Sequence, residues 1–103
     1  MGLFSKLFNS GGRDKLKVYL DNNAVIIDVR TPEEFGEGHV NGAMNIPLGS
    51  IEEHVEDIIG FNRLVVLCCA SGMRSSKATK ILKRHGVDCI NGGGWTNVGR
   101  ALA

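Results

Sequence analysis

The sequence predicts an α/β fold, a sandwich with a mainly parallel sheet and helices on both faces. Two runs carry that prediction: Ala24-Val25-Ile26-Ile27-Asp28-Val29 and Leu64-Val65-Val66-Leu67-Cys68 are β-branched and nearly all apolar. A strand with no polar alternation belongs in a parallel sheet covered on both sides, because neither of its faces meets water. The third observation is order, since strand and helix patterns alternate along the whole chain and so imply right-handed crossovers.

Taken from the amino terminus, Leu3, Phe4, Leu7 and Phe8 would share one face of a short helix, and Asn9-Ser10-Gly11-Gly12 reads as a flexible joint. Residues 1–12 are therefore expected to be a flexible tail and residues 13–103 one domain. Arg13 to Asn22 predicts a short helix through Leu16, Val18, Tyr19 and Leu20. After the first strand, Thr31-Pro32-Glu33-Glu34 combines an N-cap, a proline at the first helical position and a capping-box glutamate. Gly36, Gly38 and Gly42 break the chain before a brief strand over Ala43 to Ile46, which Pro47 ends. Ile51, Val55, Ile58 and Ile59 recur at helical spacing among charged neighbours. Beyond the second strand, the stretch Ser76 to His85 predicts a helix with Ala78, Ile81, Leu82 and His85 on its buried face and Gly86 at its C-cap. Val87 to Ile90 is a third strand, Gly92-Gly93-Gly94 a turn, and Trp95 to Leu102 a final helix.

Composition excludes several function classes. Twelve Lys and Arg against eleven Asp and Glu leave a net charge of +1, which makes no global case for nucleic acid. The order is uneven, with acids concentrated between Glu33 and Asp57 and bases between Arg74 and Arg84. Three cysteines, two of them adjacent, do not form a disulfide framework, so a reducing compartment is expected and cytoplasm is the default. No segment has membrane-spanning length. Gly2 begins a myristoylation-like pattern that fails at Lys6. The cysteines and histidines show no paired metal-ligand spacing, and no cofactor is expected.

The most informative segment is Cys69-Ala70-Ser71-Gly72-Met73-Arg74-Ser75, between the second strong strand and the helix. In a parallel α/β sheet ligands sit beyond the carboxyl ends of strands, and a helix start offers unpaired N–H groups. Such a setting lowers a cysteine pKa from about 8.5 into a range of roughly 3.5–7.5, so that the thiolate is populated at neutral pH. Arg74 supplies a nearby cation.

Three motifs together resemble the rhodanese-like sulfurtransferase family in its single-domain form. The loop Cys69 to Ser75 is similar to the family's active-site loop, in which cysteine opens six residues and Gly, Arg and Ser follow at these spacings. Asp28-Val29-Arg30, Glu34-Phe35, Gly38-His39-Val40, Gly42-Ala43 and Asn45-Ile46-Pro47 resemble the upstream signature, and Gly93-Gly94-Trp95 the glycine-pair-aromatic motif near the end. Many relatives carry a second tryptophan where this chain has Val98. The resemblance implies a three-layer rhodanese-like sandwich and a two-step transfer. The Cys69 thiolate takes the outer sulfur of a donor such as thiosulfate or a persulfide, and the resulting Cys69 persulfide gives it to a thiol, a protein thiol or cyanide.

On that reading Cys69 is the nucleophile and Ala70, Ser71, Gly72, Met73, Arg74 and Ser75 bind substrate through the loop's N–H groups, hydroxyls and cation. Arg74 either steadies the anionic donor or is held by a carboxylate beside the loop; Ser71 and Ser75 contact the anion or cap the loop and helix. Asp28 and Arg30 are expected near the site in structural ion pairing, Arg30 with Glu34, and His39 in a turn rather than as a base. Cys68 should face away from Cys69 because alternate strand side chains point oppositely, and Cys89 should be buried. Met73 and Trp95 are placed on an apolar rim, with Trp95 equally suited to the core, and Lys77, Lys80 and Arg84 on a solvent face open to an acidic partner. Two rivals remain. A phosphatase or arsenate reductase would need one more residue than the four between Cys69 and Arg74. A non-enzymatic persulfide relay or regulatory protein-binding module would keep both fold and thiol.

Overall fold

The computed structural model describes residues 12–103. The amphipathic pattern at Leu3, Phe4, Leu7 and Phe8, and the joint before Gly12, lie outside the described residues. The elements are α1 (Gly12–Asp21), β1 (Val25–Asp28), α2 (Pro32–Gly36), β2 (Met44–Asn45), α3 (Val55–Gly60), β3 (Val65–Cys69), α4 (Met73–Arg84), β4 (Cys89–Gly94) and α5 (Trp95–Leu102). Two single 3₁₀ turns, Leu48–Ser50 and Glu52–His54, lead into α3.

The four strands form one parallel sheet in the order β2-β1-β3-β4. All five residues of β3 and all four of β1 are buried, as their unbroken apolar runs require. Side-chain alternation sends them into two cores. Val25, Ile27, Val65, Leu67, Cys69 and Cys89 pack with Val55 and Ile58 of α3 and Ala78 and Leu82 of α4. Ile26, Val66, Cys68 and Ile90 pack with Leu16 of α1 and Val98 of α5. Each fully buried Val, Leu or Ile contributes about 1.5–3 kcal/mol relative to exposure, so β3, shared by both cores, is the stability axis of the molecule. Its carboxyl end carries Cys69.

The capping box at Thr31 forms as expected: Glu34 N–H donates to the Thr31 hydroxyl while the Glu34 carboxylate accepts from Thr31 N–H. Four expectations need correction. The helix after the loop begins at Met73 rather than Ser76, because Gly72 at φ +103 turns the chain directly into it. His85 is exposed, and Ser75 and Thr79 take places on the buried face of α4 beside Ala78 and Leu82. Ile59 is also exposed, since α3 is only six residues long and presents Val55 and Ile58 inward. The fourth correction concerns strand length: Gly92, Gly93 and Gly94 belong to β4 instead of a turn.

Space explains Gly92 and Gly94, and a φ of +83 explains Gly93. Register runs Leu67 to Asn91 and then Cys69 to Gly94, so β4 holds one more residue than β3 over this stretch, a bulge. A Cβ at Gly92 would lie 2.8 Å from methyls of both Val66 and Val98. The bulge draws the end of β4 against the first peptide after Cys69, where a Cβ on Gly94 would lie 2.8 Å from the Ala70 carbonyl oxygen. Val98, standing where a second tryptophan is common, is completely buried in the core.

Candidate active site

Cys69 is the last residue of β3 and not a member of the loop proper, which makes its Cα rigid while its sulfur faces the turn. The residue is 1% exposed. Gly72 N–H donates to Sγ at 3.0 Å, the Ser75 hydroxyl at 3.3 Å and Ser75 N–H at 3.5 Å. Gly72 makes this curvature available twice over, through its positive φ and through the close approach of Gly93 Cα, 3.3 Å from where a side chain would begin. These donors decide the thiol's acidity. Burial pushes its pKa up, but hydrogen bonds from the Ser75 hydroxyl and from the N–H groups of Ser75, Gly72 and Ser71 outweigh it and bring the thiol down to about 7. The other two thiols go the opposite way: burial pushes Cys68 up to about 12 and Cys89 up to about 11. Cys69 alone among the three offers a thiolate at neutral pH, and Cys68 lies on the opposite face of β3 in the second core.

Arg74 points back across the loop to α2. Its Nη1 and Nη2 donate to the two carboxylate oxygens of Glu34 at 2.6 and 3.0 Å, a bidentate pair. The Arg74 guanidinium, helped by Thr31 N–H, holds the Glu34 carboxyl down at about 2. The expected partnership of Arg30 with Glu34 is thereby corrected. Arg30 pairs instead with Asp28, Nη2 to Oδ2 at 2.8 Å, with both side chains buried. Arg30 reaches only the Glu34 main-chain carbonyl, at 3.2 Å, and also donates to the Gly38 carbonyl at 2.7 Å. The guanidinium lies 4.8 Å from the Trp95 ring centroid. Asp28 and Arg30 thus join β1, the Gly38 turn and α5 beneath the site without touching the sulfur. Asn45 closes the same corner by donating to the carbonyls of Asp28 and Arg30.

His39 stacks on Phe35 with ring centroids 3.7 Å apart and donates from Nδ1 to the Phe35 carbonyl at 2.7 Å, so it shapes the turn after α2. Met73 is 75% exposed at the mouth of the loop. A cleft of about 770 Å³ borders the loop from outside, walled by Ser71, Gly72, Met73, Lys77, Lys80 and Asn91 among others, and Cys69 is not in its wall. Trp95 is half-buried against the second core. Among the described residues no group of three His, Cys, Asp or Glu side chains is placed to hold a metal ion. No helix among them is long and apolar enough to cross a membrane.

Two residues that sequence reasoning did not place at the site are part of it. Glu34 carries its own signal, because the capping box fixes its carboxylate at the start of α2 and leaves one edge free for a cation. Asn91 signals itself as the one strongly polar side chain in an otherwise apolar strand. Its Oδ1 accepts from the Ser75 hydroxyl at 2.7 Å and its Nδ2 donates to the Gly72 carbonyl at 3.0 Å.

Main-chain N–H groups thus cup the Cys69 sulfur at the carboxyl end of a central parallel strand. The rhodanese-like domain profile matches residues 13–101, and the chain belongs to that family. Thiosulfate sulfurtransferase PspE of Escherichia coli (strain K12) is 36% identical over 74 residues, 70% of this chain and 71% of that one. A Bacillus subtilis (strain 168) protein named as a candidate sulfur carrier, YrkF, is 36% identical over 70% of this chain. The chain spans only 38% of YrkF's length. Among solved structures, one described as a rhodanese with anions from E. coli superposes with a TM-score of 0.66 at 36% identity, covering 72% of this chain and 89% of the other.

Proposed function

We propose that this chain is a sulfurtransferase that moves sulfane sulfur from thiosulfate or a persulfide to a thiol or cyanide through a persulfide on Cys69. The observation that carries this reading is the cup of donors on Sγ, with Gly72 N–H at 3.0 Å and the Ser75 hydroxyl at 3.3 Å. With thiosulfate, the thiolate's electron pair forms an S–S bond to the outer sulfur, the bond from that sulfur to the sulfonate breaks, and sulfite leaves with the pair. The product is Cys69–S–S⁻. An acceptor thiolate or cyanide then attacks the terminal sulfur, and Cys69 recovers its thiolate, so no net proton or electron enters the cycle. The N–H groups preorganised around Sγ serve the terminal anion of the persulfide as they serve the thiolate. We assign Arg74 to holding the loop closed against Glu34 rather than to the donor, because its Nη1 and Nη2 both donate to the Glu34 carboxylate. We place the activity on residues 13–103 in the cytoplasm.

The similarity to YrkF favours a second reading, a persulfide carrier without turnover. Incubation with thiosulfate followed by intact-mass measurement separates these outcomes: one added sulfur that cyanide removes repeatedly supports transfer, and one added sulfur that is released only to a protein partner supports the carrier. An unchanged mass would remove both. The phosphatase reading predicts aryl-phosphate hydrolysis instead; four residues between Cys69 and Arg74 make a ring sized for sulfur rather than for four oxygens.

A further inference from the structure

Asn91 reaches the loop from the neighbouring strand. Its register partner is Leu67, so it stands on the same face of the sheet as Cys69. Three hydrogen bonds fix its carboxamide: Oδ1 accepts from Gly93 N–H at 2.9 Å and from the Ser75 hydroxyl at 2.7 Å, while Nδ2 donates to the Gly72 carbonyl at 3.0 Å. A flipped amide would set Nδ2 against the Gly93 N–H and Oδ1 against the Gly72 carbonyl, two donor–donor and acceptor–acceptor encounters. Oδ1 is therefore held toward Ser75 as an acceptor.

Ser75 is completely buried, at 0% exposure. Its hydroxyl has a single hydrogen and two acceptors within reach, Asn91 Oδ1 at 2.7 Å and Cys69 Sγ at 3.3 Å. We propose that Asn91 is a positioning residue of the sulfur-transfer cycle, which competes with Cys69 for this hydrogen so that the hydroxyl turns to Sγ in the thiolate and back to Asn91 once Sγ is the neutral inner sulfur of a persulfide. The proposal rests on the sulfur-carrier reading of Cys69. When the hydroxyl serves the thiolate, its oxygen and Asn91 Oδ1 face each other without a hydrogen between them. That repulsion makes the thiolate more basic than the loop alone would leave it, and a more basic thiolate is the stronger nucleophile toward sulfur. Loading the sulfur relieves it. The charged side chains around the loop are Arg74 of α4, paired with Glu34 of α2, and Asp28 with Arg30 at the end of β1. Lys77 and Lys80 lie on the outer face of α4 along the cleft, and Asp88, just before β4, accepts from Tyr19. Asn91 hydrogen-bonds to none of these; it reaches the sulfur directly through the Ser75 hydroxyl and otherwise only by bracing Gly72 through its carbonyl, a contribution that the Ser75→Ala background isolates.

The test is the pH profile of Cys69 alkylation by iodoacetamide, which requires no sulfur donor, in the wild type, Asn91→Ala, Ser75→Ala and the double variant. Asn91→Ala should lower the thiol pKa by about half a unit to one unit, the shift expected when a shared hydrogen bond to a charged sulfur becomes undivided. In the Ser75→Ala background the same substitution should do nothing. A rise, no change, or an equal shift without the Ser75 hydroxyl overturns the competition. Asn91→Asp, which keeps the shape and strengthens the acceptor, should raise the pKa, and a fall there would also overturn it. Thiosulfate treatment of the wild type is read separately by mass: a Ser75-dependent shift with no sulfur adduct would sink the sulfur-carrier reading and leave the hydrogen-bond competition standing.

Discussion

Gly94→Ala tests whether the end of β4 holds the loop in its thiolate-binding shape. Gly94 has φ −71 and ψ 148, extended backbone that any residue adopts, so only space requires glycine there. An added Cβ would sit 2.8 Å from the Ala70 carbonyl oxygen. That is about half an ångström closer than ordinary van der Waals contact, and the obstacle is main chain, which cannot rotate away. Ala70 is the first residue after Cys69, and the N–H groups of Ser71 and Gly72 that face the sulfur follow it directly. The peptide must move, and the donors move with it. Overpacking of this size costs about 1–3 kcal/mol of stability. The thiol pKa should climb from about 7 as the loop donors lose alignment. Urea unfolding at constant slope reads the first effect, and the pH profile of iodoacetamide alkylation reads the second. Gly49→Ala is the control, because nothing lies within 4 Å of its added Cβ. Wild-type stability together with an unshifted thiol in Gly94→Ala would refute the claim that this contact shapes the site.

Cys69→Ser should abolish sulfane-sulfur uptake from thiosulfate, whereas Cys68→Ser and Cys89→Ser retain most of it, because burial pushes those thiols up to about 12 and 11; digestion and mass spectrometry locate the adduct. Ser75→Ala should raise the Cys69 pKa from about 7 by removing the hydroxyl donor. The alkylation midpoint, with the thiolate reacting above it and the thiol inert below, moves to higher pH, and Arg74→Ala should move it less because Glu34 already neutralises that cation. Asp28→Ala leaves the buried Arg30 with carbonyl partners only and should cost about 3 kcal/mol in denaturant unfolding, near the lower end for a broken buried pair.

The parts of this protein legible in the sequence are those governed by local rules. The runs around Val25 and Val65 are apolar at every position, so they read as buried parallel strands without any knowledge of what covers them. The Thr31 capping box lies within four residues and forms as written. The placement of Cys68 and Cys69 in opposite cores follows from strand alternation alone. Misreadings arose where partners are distant in sequence. Glu34 satisfies both its own helix cap and Arg74, forty residues on, and no local spacing distinguishes that partner from nearby Arg30. The glycines of β4 read as a turn because flexibility is their local property. For Gly92 and Gly94 the cause is proximity, since methyls of Val66 and Val98 and the carbonyl of Ala70 occupy the volume that side chains would need, and for Gly93 it is the positive φ of the bulge.

The sequence by itself determined the α/β order, the strand that ends in a cysteine and the six-residue loop that follows, since each is written in residue type at short range. Only the tertiary structure decided what that cysteine is. Pairing β4 with β3 brings Asn91 to the loop, the extra residue beyond it brings Gly93 and Gly94, and docking α2 beside α4 gives Arg74 its carboxylate. Acidity, unlike helix or strand preference, is set by how a few donors are aimed at one atom; the donors belong to the loop beside Cys69, and the segments that brace that loop, with Asn91 on the Gly72 carbonyl and the Ser75 hydroxyl, are ones that only folding makes neighbours.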